Sequence, residues 1–261
     1  MWGCWTCVDT APCLKDHSLT PIFLIKYRFG TGPHKVELEI EYPQYTEDVE
    51  PFDWPRVRGV FQLEMAPLNF MPIAVNLFLQ QVHHKLWNGC SFVINARHIF
   101  QAGPHRYSPR NAEQGNEGKY DANVPELLKK FVNSRLDKMP FQEYHEKFPH
   151  VQYTIGYAGR PGGPDFYINK IDNSVNHGPG GQSHHDLHEE ADPCFATLVG
   201  GMEVLDEINK IPIDYDRGSL LLHPVVIVDS RVIASSPEDQ QQQQISNEGA
   251  SQENENNGQE Q

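Results

Sequence analysis

Eight consecutive residues, Lys35-Val-Glu-Leu-Glu-Ile-Glu-Tyr42, alternate charged and apolar side chains without a break. A strand sends successive side chains to opposite faces, so this period of two predicts a half-buried β-strand with Val36, Leu38, Ile40 and Tyr42 inward. Gly59-Val-Phe-Gln-Leu-Glu-Met65 repeats the pattern after a loop from Pro43 to Arg58 that holds three prolines. The two strands are expected to pair antiparallel.

Helical spacing appears next. Pro72 suits a first turn, where its missing N–H is no loss, and the apolar positions from Ile73 to Leu86 fall on one face, so a helix is predicted over 71–86. Ser91–Asn95 and His98–Ala102 read as a tight strand pair around the bend Asn95-Ala-Arg97. From Gly103 to Pro149 the chain turns polar and reads as an elaborated surface loop, with an amphipathic helix over Val124–Leu136. Strands return at Val151–Tyr157, Asp165–Ile168 and Cys194–Val199, a helix at Met202–Ile208, and a last strand at Pro224–Val228. Strands around two well-separated helices, with no βαβ repeat, predict a mainly β fold: a closed antiparallel barrel with a helix over each mouth.

Three parts follow: an irregular lead over 1–34, the barrel domain over 35–232, and a tail over 233–261. The tail is rich in Gln, Asn, Glu and Ser, with five consecutive glutamines from Gln240, and is expected to be disordered because it has no core to bury.

The formal charge is −14, from 21 basic and 35 acidic residues. Six of those acids lie in 237–261, so the body itself stays acidic. An acidic body without a basic stripe lacks the charge that neutralises phosphates, which argues against nucleic acid as a partner. The longest early apolar run, Pro21–Ile25, is far below the ~20 residues that span a bilayer. No basic segment precedes an apolar signal core and no Asn-x-Ser/Thr acceptor occurs, so nothing indicates secretion, and the compartment is left open. The five cysteines, Cys4, Cys7, Cys13, Cys90 and Cys194, form no disulfide framework, and Cys4-x-x-Cys7 has no second ligand pair nearby.

Several short segments then carry a resemblance by their shared order. They are Val60-Phe-Gln-Leu-Glu-Met-Ala-Pro67, Asn76-x-Phe78, Trp87-Asn-Gly-Cys-Ser-Phe92, Gln101-Ala-Gly103, Tyr157-Ala-Gly159, Asp165-Phe-Tyr-Ile168, and Cys194-Phe-Ala-Thr-Leu-Val-Gly-Gly-Met-Glu-Val-Leu205. From about Gly59 to Val228 the chain resembles the cyclophilin family of peptidyl-prolyl isomerases. The resemblance implies an eight-stranded cyclophilin-like β-barrel capped by two α-helices. It also implies a monomer that takes proline-containing peptides as partners and needs no cofactor.

Family members hold a proline ring in a shallow apolar pocket on the barrel's outer face. Gln101 matches the family's pocket glutamine, and Tyr167 an aromatic wall position. Ile99 and Phe100 fall near other wall residues, and Gly156, Tyr157 and Ala158 match the strand whose backbone pairs with peptide. The family's catalytic arginine position falls on Ile94, or on Asn95 because the segment is one residue shorter. Arg97 is the cation that a remodelled bend could return to the pocket. The family's tryptophan and histidine positions fall near Leu187 and Asp192.

Isomerisation must twist an amide with a barrier of about 18–20 kcal/mol. Losing one transition-state donor typically costs about 3–4 kcal/mol, or two to three orders of magnitude in rate. A weak isomerase and a non-catalytic binder of proline peptides on the same fold are the two expectations. His177, His184, His185, Asp186, His188, Glu189 and Glu190 cluster in a Gly-rich loop, but no rigid element fixes their geometry. They read as a solvated loop, with no metal site expected.

Overall fold

The computed structural model describes residues 21–105, 125–160, 162–181 and 190–233. The strands are β1 (Lys35–Pro43), β2 (Arg56–Met65), β3 (Ser91–Asn95), β4 (Ile99–Gly103), β5 (Thr154–Tyr157), β6 (Phe166–Asn169), β7 (Cys194–Gly200), β8 (Ile213–Asp214) and β9 (Leu220–Ile233). They form one antiparallel sheet in the order β1-β2-β7-β5-β6-β4-β3-β9-β8, and a further β1–β9 pairing closes eight of them into a barrel, with β8 as an extra edge. Closure leaves those eight strands without free edges, which removes the usual template for aggregation.

The alternation in β1 has the expected result. Val36, Leu38, Ile40 and Tyr42 are buried, while Glu37, Glu39 and Glu41 form an outer ladder to Arg231, Arg58 and Arg56. Such half-exposed pairs fix register more than they stabilise.

The helices are α1 (Pro21–Phe29), α2 (Pro72–His83), α3 (Pro125–Asn133) and α4 (Met202–Ile208). Helix α3 falls within the helix expected over Val124–Leu136, whereas α1 departs from the sequence reading. The end of the supposedly irregular lead is α1, whose Ile25 is fully buried in the core and which packs on α2. The described part of the segment 103–149 is docked on the core: Phe131 of α3 is fully buried, edge-on to Trp87 with ring centroids 5.0 Å apart. The same insertion caps α2, because Glu143 accepts the N–H groups of Ile73 (2.9 Å) and Ala74 (2.7 Å). These are two of the donors a helix start leaves unpaired.

Aromatic rings fill the barrel. Phe92 and Phe100 stack at 4.1 Å, and Phe78, Phe166, Phe195 and Trp87 meet around them. Gln81 of α2 is fully buried among them yet satisfied: its Oε1 accepts from Trp87 Nε1 (3.2 Å) and Tyr157 Oη (2.9 Å), and its Nε2 donates to the Leu136 carbonyl (2.7 Å). Before α4, Gly201 has φ +91°, and a Cβ there would lie 2.3 Å from the Val60 carbonyl oxygen. Only glycine fits that turn. Among the described residues no helix is long and apolar enough to cross a membrane.

Candidate functional site

The strand registers place five residues in one row across the outer face of the barrel. Ile94 of β3 lies opposite Gln101 of β4, Gln101 opposite Tyr167 of β6, Tyr167 opposite Gly156 of β5, and Gly156 opposite Cys194 of β7. A bulge at Val93 sets this register, since it puts Ile94 and not its neighbour across from Gln101. The side chain beside Gln101 on β3 is therefore apolar.

Asn95 points to the barrel's interior end, where its Nδ2 donates to the Ile208 carbonyl (3.5 Å) and its Oδ1 accepts from Lys170 Nζ (2.9 Å). Burial pulls the Lys170 ammonium below its usual pKa. Arg97 sits exposed in the bend.

Gln101 Nε2 donates to Asp165 Oδ2 at 3.2 Å, and His105 Nε2 lies 3.5 Å from the same oxygen. A carboxylate only accepts, so this contact fixes the amide with its nitrogen toward Asp165. Ile99, 8% exposed, lies on the same outer face, paired across the ladder with Asn169. Phe100 faces inward instead, stacked on Phe92, because strand alternation puts it on the core side of Gln101.

Tyr157 is likewise a core residue, with its ring against Phe195 at 4.5 Å and its hydroxyl on Gln81. The backbone expected to pair with peptide already has internal partners here. Tyr157 N–H donates to the Pro193 carbonyl (3.0 Å), Ala158 N–H to the Asp165 carbonyl (2.8 Å), and the Ala158 carbonyl accepts from Gly163 (3.1 Å).

Over Tyr167 and Gly156 lies a buried polar knot centred on Asp192. Tyr167 Oη donates to Asp192 Oδ2 (2.9 Å), His177 Nδ1 to the same oxygen (2.7 Å), and Arg160 Nε to Oδ1 (2.9 Å). The Arg160 and Asp192 side chains are 1% and 4% exposed. A buried carboxylate survives only with such partners. Burial works against its charged form, but hydrogen bonds from His177, Arg160 and Tyr167 and the charge of His177 outweigh that and hold the carboxyl below its usual pKa. The Tyr167 phenol is pushed far above its usual range, first by burial and then by the Asp192 charge.

His150 donates from Nε2 to the Asp192 carbonyl (2.8 Å), and burial drives its pKa down to about 4. A Cβ on Gly156 would meet His150 Cε1 at 2.7 Å and Tyr167 Oη at 2.8 Å, so the absent side chain makes room for both.

His177 sits among three rings: Tyr167 at 4.7 Å between centroids, His150 at 5.6 Å and His98 at 6.1 Å. Among the described residues its buried Nε2 has no hydrogen-bond partner, nor does Asn173 Oδ1. Residues 182–189, which include His184, His185, Asp186, Leu187, His188 and Glu189, lie outside the described residues, as do Cys4, Cys7 and Cys13. Among the described residues no three His, Cys, Asp or Glu side chains gather as a metal would require. Sequence reading did not foresee Arg160 and His150 in this knot. The one local sign of them is the glycine at 156, where a Cβ would collide with the His150 ring.

The model of the cyclophilin type peptidyl-prolyl cis-trans isomerase/CLD family matches residues 56–232. The chain belongs to this family. Its cyclophilin domain therefore covers most of the chain and includes every strand of the site. A solved structure of a Cryptosporidium parvum cyclophilin type peptidyl-prolyl cis-trans isomerase, in the presence of the dipeptide Ala-Pro, is similar at 16% identity. That alignment covers 77% of this chain and 99% of that one, with a TM-score of 0.48. A second structure of that parasite's protein aligns at 15% identity over the same shares, with a TM-score of 0.45. A search of curated proteins found no match.

Proposed function

We propose that this cyclophilin-family chain binds proline-containing peptides on the outer face of β4 and β6 and isomerises them weakly. The cross-strand row of Ile94, Gln101, Tyr167 and Gly156 is the observation that carries this reading. It brings the pocket glutamine and the aromatic wall together on one face, with Ile99 beside them. Gln101 is the polar contact for peptide, Tyr167 and Ile99 the apolar wall, and Arg97 the cation of the β3–β4 bend. The reaction needs no nucleophile, proton relay or cofactor, so shape and desolvation alone can sustain a residual rate.

A second reading, a non-catalytic binder of proline peptides, is favoured by Ile94. An apolar side chain beside Gln101 offers nothing to stabilise a twisted amide.

Exchange NMR on a short Xaa-Pro peptide decides between them, comparing the native chain with Arg97→Ala and Gln101→Ala at equal concentration. Catalysis that falls in both variants supports the weak isomerase. Peptide shifts without exchange enhancement support the binder. Neither shifts nor exchange would overturn both.

A further inference from the structure

We infer that His177 is a built-in occupant of the peptide pocket, a side chain of this chain that stands where a proline ring would bind and must leave before a peptide enters. The inference rests on the peptide-binding reading above and adds the regulation of that site.

The geometry is that of a ring held in a cage. His177 lies against Tyr167, the aromatic wall, with centroids 4.7 Å apart, and His150 and His98 close two further sides. The imidazole is a five-membered ring, close in size to pyrrolidine. It is 90% buried, yet one of its two nitrogens has no partner among the described residues. A histidine placed only to neutralise Asp192 would gain by turning that nitrogen to water, because a buried polar atom without a hydrogen bond is destabilising. His177 is one of three donors to that carboxylate, and Arg160 and Tyr167 still hold it when His177 turns away.

The backbone of His177 is anchored separately. Its N–H donates to the Asn173 carbonyl (2.9 Å) and its carbonyl accepts the Asp192 N–H (2.9 Å). Rotation about its own side-chain bonds therefore empties the cage without unfolding the segment. Apparent affinity scales with the fraction of molecules whose site is open, so a cage open in about one molecule in ten binds about tenfold more weakly than one always open.

The test is titration of acetyl-Ala-Ala-Pro-Ala-amide, followed by ¹⁵N shifts, into the full chain and into His177→Ala, with imidazole as a second ligand for the variant. Expected are an unchanged fold, at least about tenfold tighter peptide binding by His177→Ala, and competition between imidazole and peptide for the vacated cage. Equal peptide affinity in both proteins overturns the inference and leaves the peptide-binding reading standing. Imidazole bound without competing with peptide also overturns it. Peptide bound by neither protein removes the peptide-binding reading and this inference with it. Should His177→Ala fail to fold, the His177 ring resonances of the native chain decide. They shift on peptide saturation if the ring is displaced, and stay unchanged if the inference is wrong.

Discussion

Tyr167 donates its hydroxyl to Asp192 across 2.9 Å in a space closed to water, and Asp192 in turn holds Arg160, whose side chain is 1% exposed. The two contacts are not equal. Tyr167→Phe removes one of several donors to the carboxylate and is expected to cost about 1–3 kcal/mol, typical of a hydrogen bond to a charged group. Asp192→Ala leaves a buried guanidinium unpaired, at about 3–5 kcal/mol. Urea unfolding of both variants checks the order, and an Asp192→Ala no less stable than Tyr167→Phe would contradict the knot described here.

Acid should loosen the same region in a defined window. Burial keeps His150 neutral in the fold, with a pKa of about 4 against about 6.5 when unfolded. Between those values the unfolded chain binds the extra proton, so this stabilisation is full above about pH 6.5 and is lost as pH falls toward 4. The shift corresponds to about 3 kcal/mol. Asp192, with a depressed carboxyl pKa, adds a further loss at lower pH as it is protonated. His34, His98 and His223 are depressed by burial in the same direction. Stability against pH for His150→Gln should therefore show a shallower slope between 6.5 and 4, and an unchanged slope would exclude His150 as a source.

Gly156→Ala tests the packing over the row. The new Cβ would stand 2.7 Å from His150 and 2.8 Å from Tyr167 Oη, against side chains that are themselves hydrogen-bonded and cannot yield freely. Overpacking of this kind costs about 1–3 kcal/mol. Thermal unfolding should register the loss, and histidine ring resonances should show His150 displaced.

The barrel was legible because its signal is local. Lys35–Tyr42 shows its two faces in eight residues, and the helices at Pro72 and Met202 carry their own spacing. Helix α1 is not legible in the sequence because it holds its place through the packing of Ile25, a tertiary fact. The polar knot was hidden for a related reason. His150, Arg160, His177 and Asp192 are spread along more than forty residues, and each alone reads as a solvated side chain. Only folding shows that Arg160 and His177 share the Asp192 carboxylate while His150 takes the main-chain carbonyl of the same residue. Phe100 was misplaced on the outer wall although the two-residue period already set it on the side opposite Gln101.

Ile94→Arg asks whether the β3–β4 face lacks only a cation. Ile94 is partly exposed and lies directly across the ladder from Gln101, so a guanidinium there can reach over the face without entering the core. Gln101 is held in place by Asp165, which leaves its position defined for a new neighbour. One well-placed transition-state donor is worth about 10²–10³ in rate, so even imperfect placement should raise prolyl exchange at least about tenfold. The measurement is the exchange rate of an Xaa-Pro peptide at saturation, with peptide affinity followed in parallel. A gain in rate at constant affinity means the face is a working isomerase scaffold short of one charge. Unchanged exchange with affinity intact means that a cation beside Gln101 is not what limits turnover on this face, which favours the non-catalytic binder.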